Sequence, residues 1–348
     1  MATTARPRLA QVASEAGVSV ASASRALNGA SASPEMVAKV RRVARELGYE
    51  VHVTARSLKM GRTEQLAFVV ADLGNPVYVA MMRALEGVVR QAGYRLIVSA
   101  SGSQPAEEMQ VIRGLKRGYA DGLVISPLRI TEELVTELLG CRVPVVVVGK
   151  LPPGVPLDNV RTDSARGIGL AVRHLIDAGR DRIGFINGPR DTVPGRSRAA
   201  GFERAMRTAE RPTTRRQVAA AADFTHAAGE KAAADLLAGY RPDAVVCAND
   251  LIALGALRAL HAAGYDVPAE VAIVGMDDTE LAELAVPALT SVSLRSEQRG
   301  QQAASMLLDR IADPALRSRR VTFQPRLVVR DSSAPRPNPA GRPSRQLS

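Results

Sequence analysis

Residues 9–29 read "LAQVASEAGVSVASASRALNG", and the reading of this stretch decides how the front of the chain folds and what it serves. Leu9, Val12, Ala13 and Ala16 recur on one face of a first helix. Gly17 permits a tight turn, and Ser19 is a good N-cap for a second helix. In that helix Ala23, Ala26 and Leu27 form the inward stripe, and the reading places Val20, Ala21, Ser24 and Arg25 on the opposite face. Asn28-Gly29 ends it. Helix, glycine turn, helix is the helix-turn-helix pattern, though an ordinary helical hairpin shares it. Small outward side chains would let the helix backbone approach base edges closely. Arg25 could then give guanine a bidentate contact worth about 1–3 kcal/mol of discrimination. Ser19, Ser22 and Ser24 are candidate donors to phosphates.

Working outward, Ser33-Pro34-Glu35 starts a third helix with an N-cap, a proline in the first turn and an acid beside it. Met36, Val37, Val40, Val43, Ala44 and Leu47 give it an apolar stripe, and Gly48 ends it. The formal net charge of +11 is concentrated at the front. Residues 1–62 hold 10 Lys and Arg against 4 acids, while the segment 63–331 is nearly neutral. A basic head on a neutral body predicts a polyanion partner for the head. A solubilising bias is the plainer alternative.

After a polar connector, "VTARSLKMG", the pattern changes. Short apolar runs at 66–71, 95–100, 121–126, 143–149, 182–187, 243–248 and 271–275 alternate with helix-length segments. Continuous Val/Ile runs of this kind predict parallel strands buried on both faces, hence doubly wound α/β architecture. More units than one small sheet can hold predict two α/β lobes. The expected class is therefore an all-α helix-turn-helix head plus an α/β body of two doubly wound parallel-sheet lobes. Apolar residues at 46% supply the cores, which must be aliphatic because aromatics are only 3%. The Pro/Arg/Ser-rich end, 332–348, is expected to be disordered.

Other classes find little support. Cys141 and Cys247 lie far apart in apolar runs and read as buried thiols of a reducing compartment. No apolar run reaches the roughly 18–20 residues of a membrane span, and the front shows no signal-peptide core, so the cytoplasm is expected. The four histidines show no metal-ligand spacing, and neither a phosphate loop nor a nucleophile elbow is present. No enzyme, cofactor or metal is expected. A transporter's solute-binding protein would need the reverse of what is seen, a signal peptide and no basic head.

The front stretch, followed by "VAKVRRVARELGYE" (37–50) and "ARSL" (55–58), resembles the N-terminal domain of the LacI/GalR family of bacterial transcriptional repressors. The resemblance runs on through "DLGNPVY" (72–78), "ADGLVIS" (120–126), "TDSARG" (162–167), "RIGFINGP" (182–189), "RAAGFERAM" (198–206), "CANDLIALGALRAL" (247–260) and "GYDVPAEVAIVGMDD" (264–278), from about residue 8 to 331. It implies that the lobes are of periplasmic-binding-protein type. It also implies that the protein is a homodimeric repressor of double-stranded operator DNA, controlled by a small ligand, a sugar or related metabolite, bound between the lobes. Carried over by position, Val20, Ala21 and Arg25 fall on base-contacting positions, with Ser19, Ser22, Ser24 and Asn28 beside them. Ala55 and Leu58 fall on the hinge helix, Leu58 where the family wedges a leucine into the minor groove. Gln11 replaces a usual acid, and Glu50-Val51-His52 replaces the family's Pro-Asn before that hinge.

The implied domains are 1–50, a hinge at 51–62, and a core at 63–331. Within the core, lobe 1 is about 63–163 with 292–322, and lobe 2 is about 164–291 with 323–331. Ligands of open α/β sheets sit beyond strand C-terminal ends. Asp72, Ser126, Asn249 and Asp277 stand there, and Arg198 opens a helix after a Gly/Pro-rich loop. By resemblance Arg198, Asn249 and Asp277 are effector contacts, and Val77, Tyr78, Asp163 and Phe224 match pocket positions. Asp250 is expected to cap the helix that follows it. Asp72 reads equally well as structural, and Tyr78 and Phe224 could be core.

Overall fold

The turn before the second helix closes as its sequence dictates: Ser19 Oγ accepts a hydrogen bond from the Ser22 amide at 3.1 Å. The computed structural model describes residues 7–27, 32–49, 61–102, 105–115 and 118–334. The chain divides into two compact units at Thr63/Glu64. In the first, helices α1 (Leu9–Glu15), α2 (Val20–Leu27) and α3 (Pro34–Glu46) surround a small core of Val12, Ala13, Ala16, Ala23, Ala26, Val40, Val43 and Ala44. Gln11, where an acid was the usual residue, still caps α1, its Oε1 accepting from the Arg8 amide at 2.8 Å. Ser33 caps α3.

One expectation is corrected here. Ser24 is buried at 9% exposure, so it does not share the outward face with Ala21 and Arg25. It lies three residues before Leu27, and 3.6 periodicity sets it beside Leu27 on the core arc. Asn28, Ala55 and Leu58 lie outside the described residues.

The second unit opens on β1 (Gln65–Val70), in which alternate residues enter different cores. Leu66, Phe68 and Val70 meet α4 (Pro76–Gln91) and α12 (Ser296–Ala312). Ala67 and Val69 meet α5 (Pro105–Leu115) and α6 (Glu132–Leu139). That two-sided burial is why the run is continuously apolar. Strands β2 (Arg95–Ala100), β3 (Gly122–Ser126), β4 (Val145–Val148) and β5 (Asp158–Thr162) complete lobe 1 with a late strand, β11 (Arg320–Phe323). Their order is β2-β1-β3-β4-β5-β11, all parallel.

Lobe 2 repeats the plan. Its order is β7-β6-β8-β9-β10-β12, for β6 (Ile183–Asn187), β7 (Val218–Ala220), β8 (Ala244–Cys247), β9 (Ala272–Asp277), β10 (Thr290–Ser293) and β12 (Arg326–Val328). Only β12 runs antiparallel to its neighbour. Helices α7 (Ser164–Asp177) and α8 (Val193–Thr208) cover one face. Helices α9 (His226–Gly239) and α10 (Asp250–Ala262) cover the other, and α11 (Glu280–Leu284) follows β9.

The chain crosses between lobes three times, and the crossings are tied together. Thr162 Oγ1 donates to the Leu294 carbonyl at 2.7 Å, and Arg166 donates to Gln324 Oε1 at 2.7 Å. Two boundaries shift from expectation. All of β10 belongs to lobe 2, so the return to lobe 1 comes after Ser293 rather than at 291/292. Ser332 and Ser333, expected in the tail, are wholly buried in lobe 2, where Ser332 bonds Thr290 and Ile273 and Ser333 bonds Thr290 and His174. The seven apolar runs are strands. The five strands that the pattern missed are interrupted by polar residues (β5, β11), only three residues long (β7, β12) or carry hydroxyls into the interior (β10).

Helices α9 and α10 touch backbone to backbone. A Cβ at Gly255 would fall onto the His226 carbonyl, and one at Gly229 onto the Ile252 backbone. Gly255→Ala is expected to destabilise the body by about 1–3 kcal/mol through overpacking, read as a melting temperature lower by a few degrees. An unchanged melting point would show that the helices separate freely.

Candidate functional site

In the head, the surface offered by α2 is Val20, Ala21 and Arg25, all exposed, with half-buried Ser22 among them. Arg25 Nη2 donates to Ser22 Oγ at 3.2 Å, and Ser19 Oγ donates to the same oxygen at 2.9 Å. This chain of hydroxyls tethers the guanidinium along the helix start. Lys39, Arg41, Arg42 and Arg45 are exposed on α3. The arrangement can place one directed cation and a nearly featureless helix start against a polyanion groove.

In the body, both sheets have the order in which two consecutive strands diverge to opposite sides. This leaves a crevice beyond the carboxyl ends at β1/β3 and at β6/β8. A cavity of about 420 Å³ opens there between the lobes, a size suited to a small ligand. All nine residues expected to contact an effector line it: Asp72, Val77, Tyr78, Ser126, Asp163, Arg198, Phe224, Asn249 and Asp277.

Their local roles differ. Asp72 is exposed and accepts from the Gly74 amide in a turn. Asp163 caps α7 through the Arg166 amide. Asn249, rather than Asp250, caps α10: its Oδ1 accepts from Ile252 N at 2.9 Å, and its Nδ2 donates to the Phe224 carbonyl at 3.0 Å. The cap must keep an extended backbone, and Asn249 does (φ −147°), while Asp250 is already the first helical residue. Asp250 instead points inward. Its carboxylate accepts from Thr279 N and Oγ1 at 2.8 and 2.9 Å and from Ser291 Oγ at 2.6 Å.

Asp277 ends β9 with φ of 117°, and Asp278 follows at 56°, a turn that L residues rarely adopt. Asp277 Oδ1 lies 3.8 Å from Arg198 Nη2, both side chains being buried. Arg198 also stands 5.8 Å above the Phe224 ring. Burial pushes the Asp277 carboxyl up to about 6 in spite of the Arg198 and Arg299 charges that favour ionisation. Burial first, then the neighbouring Asp277, pushes Asp250 up to about 7. Burial, with the Asp277 charge behind it, pushes the Tyr78 phenol up to about 12, so it stays a neutral donor. The lobes also touch at the rim: Val193 N donates to Leu128 O at 2.7 Å, and Arg129 pairs with Asp191 at 2.7 Å.

The sequence reading missed Arg299, which lines the cavity from α12 and is buried at 9% exposure. Attention to strand ends overlooks a helix that returns from the other lobe. The available signal was an arginine in phase with the inward stripe of Ala303, Met306 and Leu307. Asn75, Leu128 and Thr162 were missed as well. Among the described residues no group of three or more His, Cys, Asp or Glu could hold a metal ion, and no helix is long and apolar enough to cross a membrane.

Residues 8–51 match the family model described as bacterial regulatory proteins, lacI family, and residues 172–333 match a periplasmic binding protein-like domain. The HTH-type transcriptional regulator CelR of Thermobifida fusca is 34% identical over 337 residues, covering 94% of this chain and 98% of that protein. A solved CelR–cellobiose complex aligns with a TM-score of 0.72 at 33% identity, over 94% of this chain and 100% of that one. The lac repressor dimer bound to operator and the anti-inducer ONPF aligns with a TM-score of 0.83 at 25% identity, over 94% and 99%.

The raised carboxyls make stability depend on pH. Protons held by folded Asp277 and Asp250 favour the native state. That contribution is full below the ordinary value of 3.8 and is lost as pH rises through about 6 and about 7. Buried Glu108, raised by burial to about 7, acts in the same sense. His174, lowered by burial, acts oppositely but only below its ordinary 6.5. The melting temperature is therefore expected to fall by a few degrees between about pH 6.5 and about pH 8, and to fall less in Glu108→Gln. A flat profile would contradict these protonation states.

Proposed function

The chain belongs to the lacI family of bacterial regulatory proteins, and from that premise we propose that it is a homodimeric transcriptional repressor whose grip on operator DNA is set by a sugar-like effector in the cleft. The observation that carries the effector half is the convergence of buried Arg198, Asp277 and Asn249 with half-buried Tyr78 on one cavity between two lobes. Hydroxyl-rich molecules supply the acceptors and donors such a set needs, and the cellobiose named in the relative's complex supports that class. Site and working compartment, the cytoplasm, are part of the proposal, as is the absence of a catalytic role.

On the DNA side, Arg25 reads a guanine in the major groove while Val20 and Ala21 meet bases by apolar contact. Ser19 and Ser22 contact phosphates. Ser24, being buried, is withdrawn from that set. Asn28 and the connector residues Ala55 and Leu58 keep their proposed operator contacts. Two heads read a two-fold site, as a two-fold protein must. A surface for the second copy is available in lobe 2: Leu281, Leu284 and Val286 are exposed, the last at 84%. The effector works by its differential affinity for two poses of the lobes, and the rim contacts at Leu128–Val193 and Arg129–Asp191 belong to one of those poses.

Four outcomes test this reading. In mobility-shift assays on the DNA upstream of its own gene, binding should be sequence-specific and weaken steeply with salt. Loss of either property would refute repressor action there. Arg25→Ala should cost about 1–3 kcal/mol and relax specificity at one symmetric base position. A uniform loss across sequences would instead make Arg25 a phosphate contact. Arg198→Ala should leave the operator complex intact at effector concentrations that release the wild type. Leu284→Asp with Val286→Asp should shift sedimentation towards monomer and weaken operator binding. A dimer unchanged by both would move the interface elsewhere.

A further inference from the structure

Two guanidiniums at the cleft are left unsatisfied by the protein itself. Arg198 comes from α8 of lobe 2, and Arg299 comes from α12, which packs on lobe 1. Both line the cavity, at 7% and 9% exposure. A guanidinium only donates, through a planar fork of N–H groups, and a buried one needs acceptors. Arg299 Nη2 has one, Ser296 Oγ at 3.0 Å. The Asp277 carboxylate oxygen beside Arg198 lies 3.8 Å from its Nη2, beyond hydrogen-bond range. Among the described residues, the buried Nε atoms of both have no acceptor.

The local carboxylates do not cover this demand. Asp277 is the one charge that both arginines face, and Asp250 behind it is already engaged with Thr279 and Ser291. Burial brings these two carboxyls to about 6 and about 7, so near neutral pH the pair holds less than two full negative charges against two cations. The remaining acids of the cavity, Asp72, Asp163 and Asp223, are exposed and serve local turns and caps. A neutral sugar hydroxyl brings its own proton, which needs an acceptor in turn. A carboxylate or phosphate brings acceptors alone and matches the guanidinium fork.

Building on the effector reading above, we propose that the ligand is an acidic sugar, a polyol carrying one oxyanion group, with that group held jointly by Arg198 and Arg299. The two arginines belong to different lobes, so the anion bridges them and favours the pose that brings them together. Tyr78, Ser126 and Asn249 remain for the hydroxyls, which gives the site its second requirement.

The test is isothermal titration and thermal shift of the full chain at constant ionic strength. The probes are glucuronate, galacturonate, gluconate and glucose 6-phosphate against glucose, galactose and cellobiose. At least one acid should bind roughly 10- to 100-fold tighter than its neutral parent, the scale of a charge-assisted pair. The carboxylate and phosphate arms tell which oxyanion is preferred. Arg299→Met should reduce the acid to the affinity of the neutral parent, while Arg299→Lys keeps part of the preference. Melting without ligand verifies that both variants fold. A neutral sugar that binds as tightly as every acid overturns the proposal, as does an acid preference that survives Arg299→Met. If a neutral sugar releases operator and no acid does, the inference falls and the repressor reading stands. If no compound of either kind shifts melting or releases operator, the sugar-effector reading falls with it.

Discussion

A parallel strand buried on both faces cannot turn straight back, and this constraint organises the body. Most strands return through a helix on one face or the other, so the carboxyl ends of the parallel strands collect on one edge of each sheet. Two such sheets, β2-β1-β3-β4-β5-β11 and β7-β6-β8-β9-β10-β12, share three crossings, and a 420 Å³ cavity lies between their carboxyl edges. Asp72, Ser126, Asn249 and Asp277 line it because the chain leaves each strand there. The crossings at Thr162, Leu294 and Gln324 are bonded to one another or to their neighbours, so the lobes are linked through few, defined joints.

The polar interior of lobe 2 depends on a short relay. Asp250 is held by Thr279 and Ser291, and Ser291 also accepts from the Asp278 amide. This fixes the turn that carries Asp277 at positive φ into the cavity. Little room exists behind it, since a Cβ at Gly275 would meet Asp250 and Leu289. Hydrogen bonds to Asp250 and the arginines beside Asp277 oppose, in part, the desolvation of these carboxyls.

The head follows a different economy of size. Its core is mostly alanine and valine, so its helices sit close, and the outward start of α2 presents little beyond Arg25. In the proposed base readout, a head built this way relies on one long cation and on backbone proximity. The tether from Ser19 through Ser22 to Arg25 restricts that cation before any DNA arrives.

Periodicity and caps were legible in the chain alone. The three head helices, the seven continuous apolar strands, the alternation that implies two lobes, and nine cavity-lining residues followed from local pattern or from family resemblance. Local pattern carries these because each depends on neighbours within a few residues. What escaped it depends on partners far along the chain. Short strands β5, β11 and β12 are strands because distant segments pair with them. Ser24 is buried because its arc meets the head's core, and Asn249 takes the cap while Asp250 is claimed by Thr279 and Ser291. Arg299 becomes a cleft residue only because α12 returns to lobe 1 and faces Asp277 and Arg198 from the other lobe. The sequence by itself determined which segments are helices and buried strands, since their side chains need water excluded from a particular face. Only the tertiary structure decided which polar groups share that dry space, because charge pairing is set by distance through space and not along the chain.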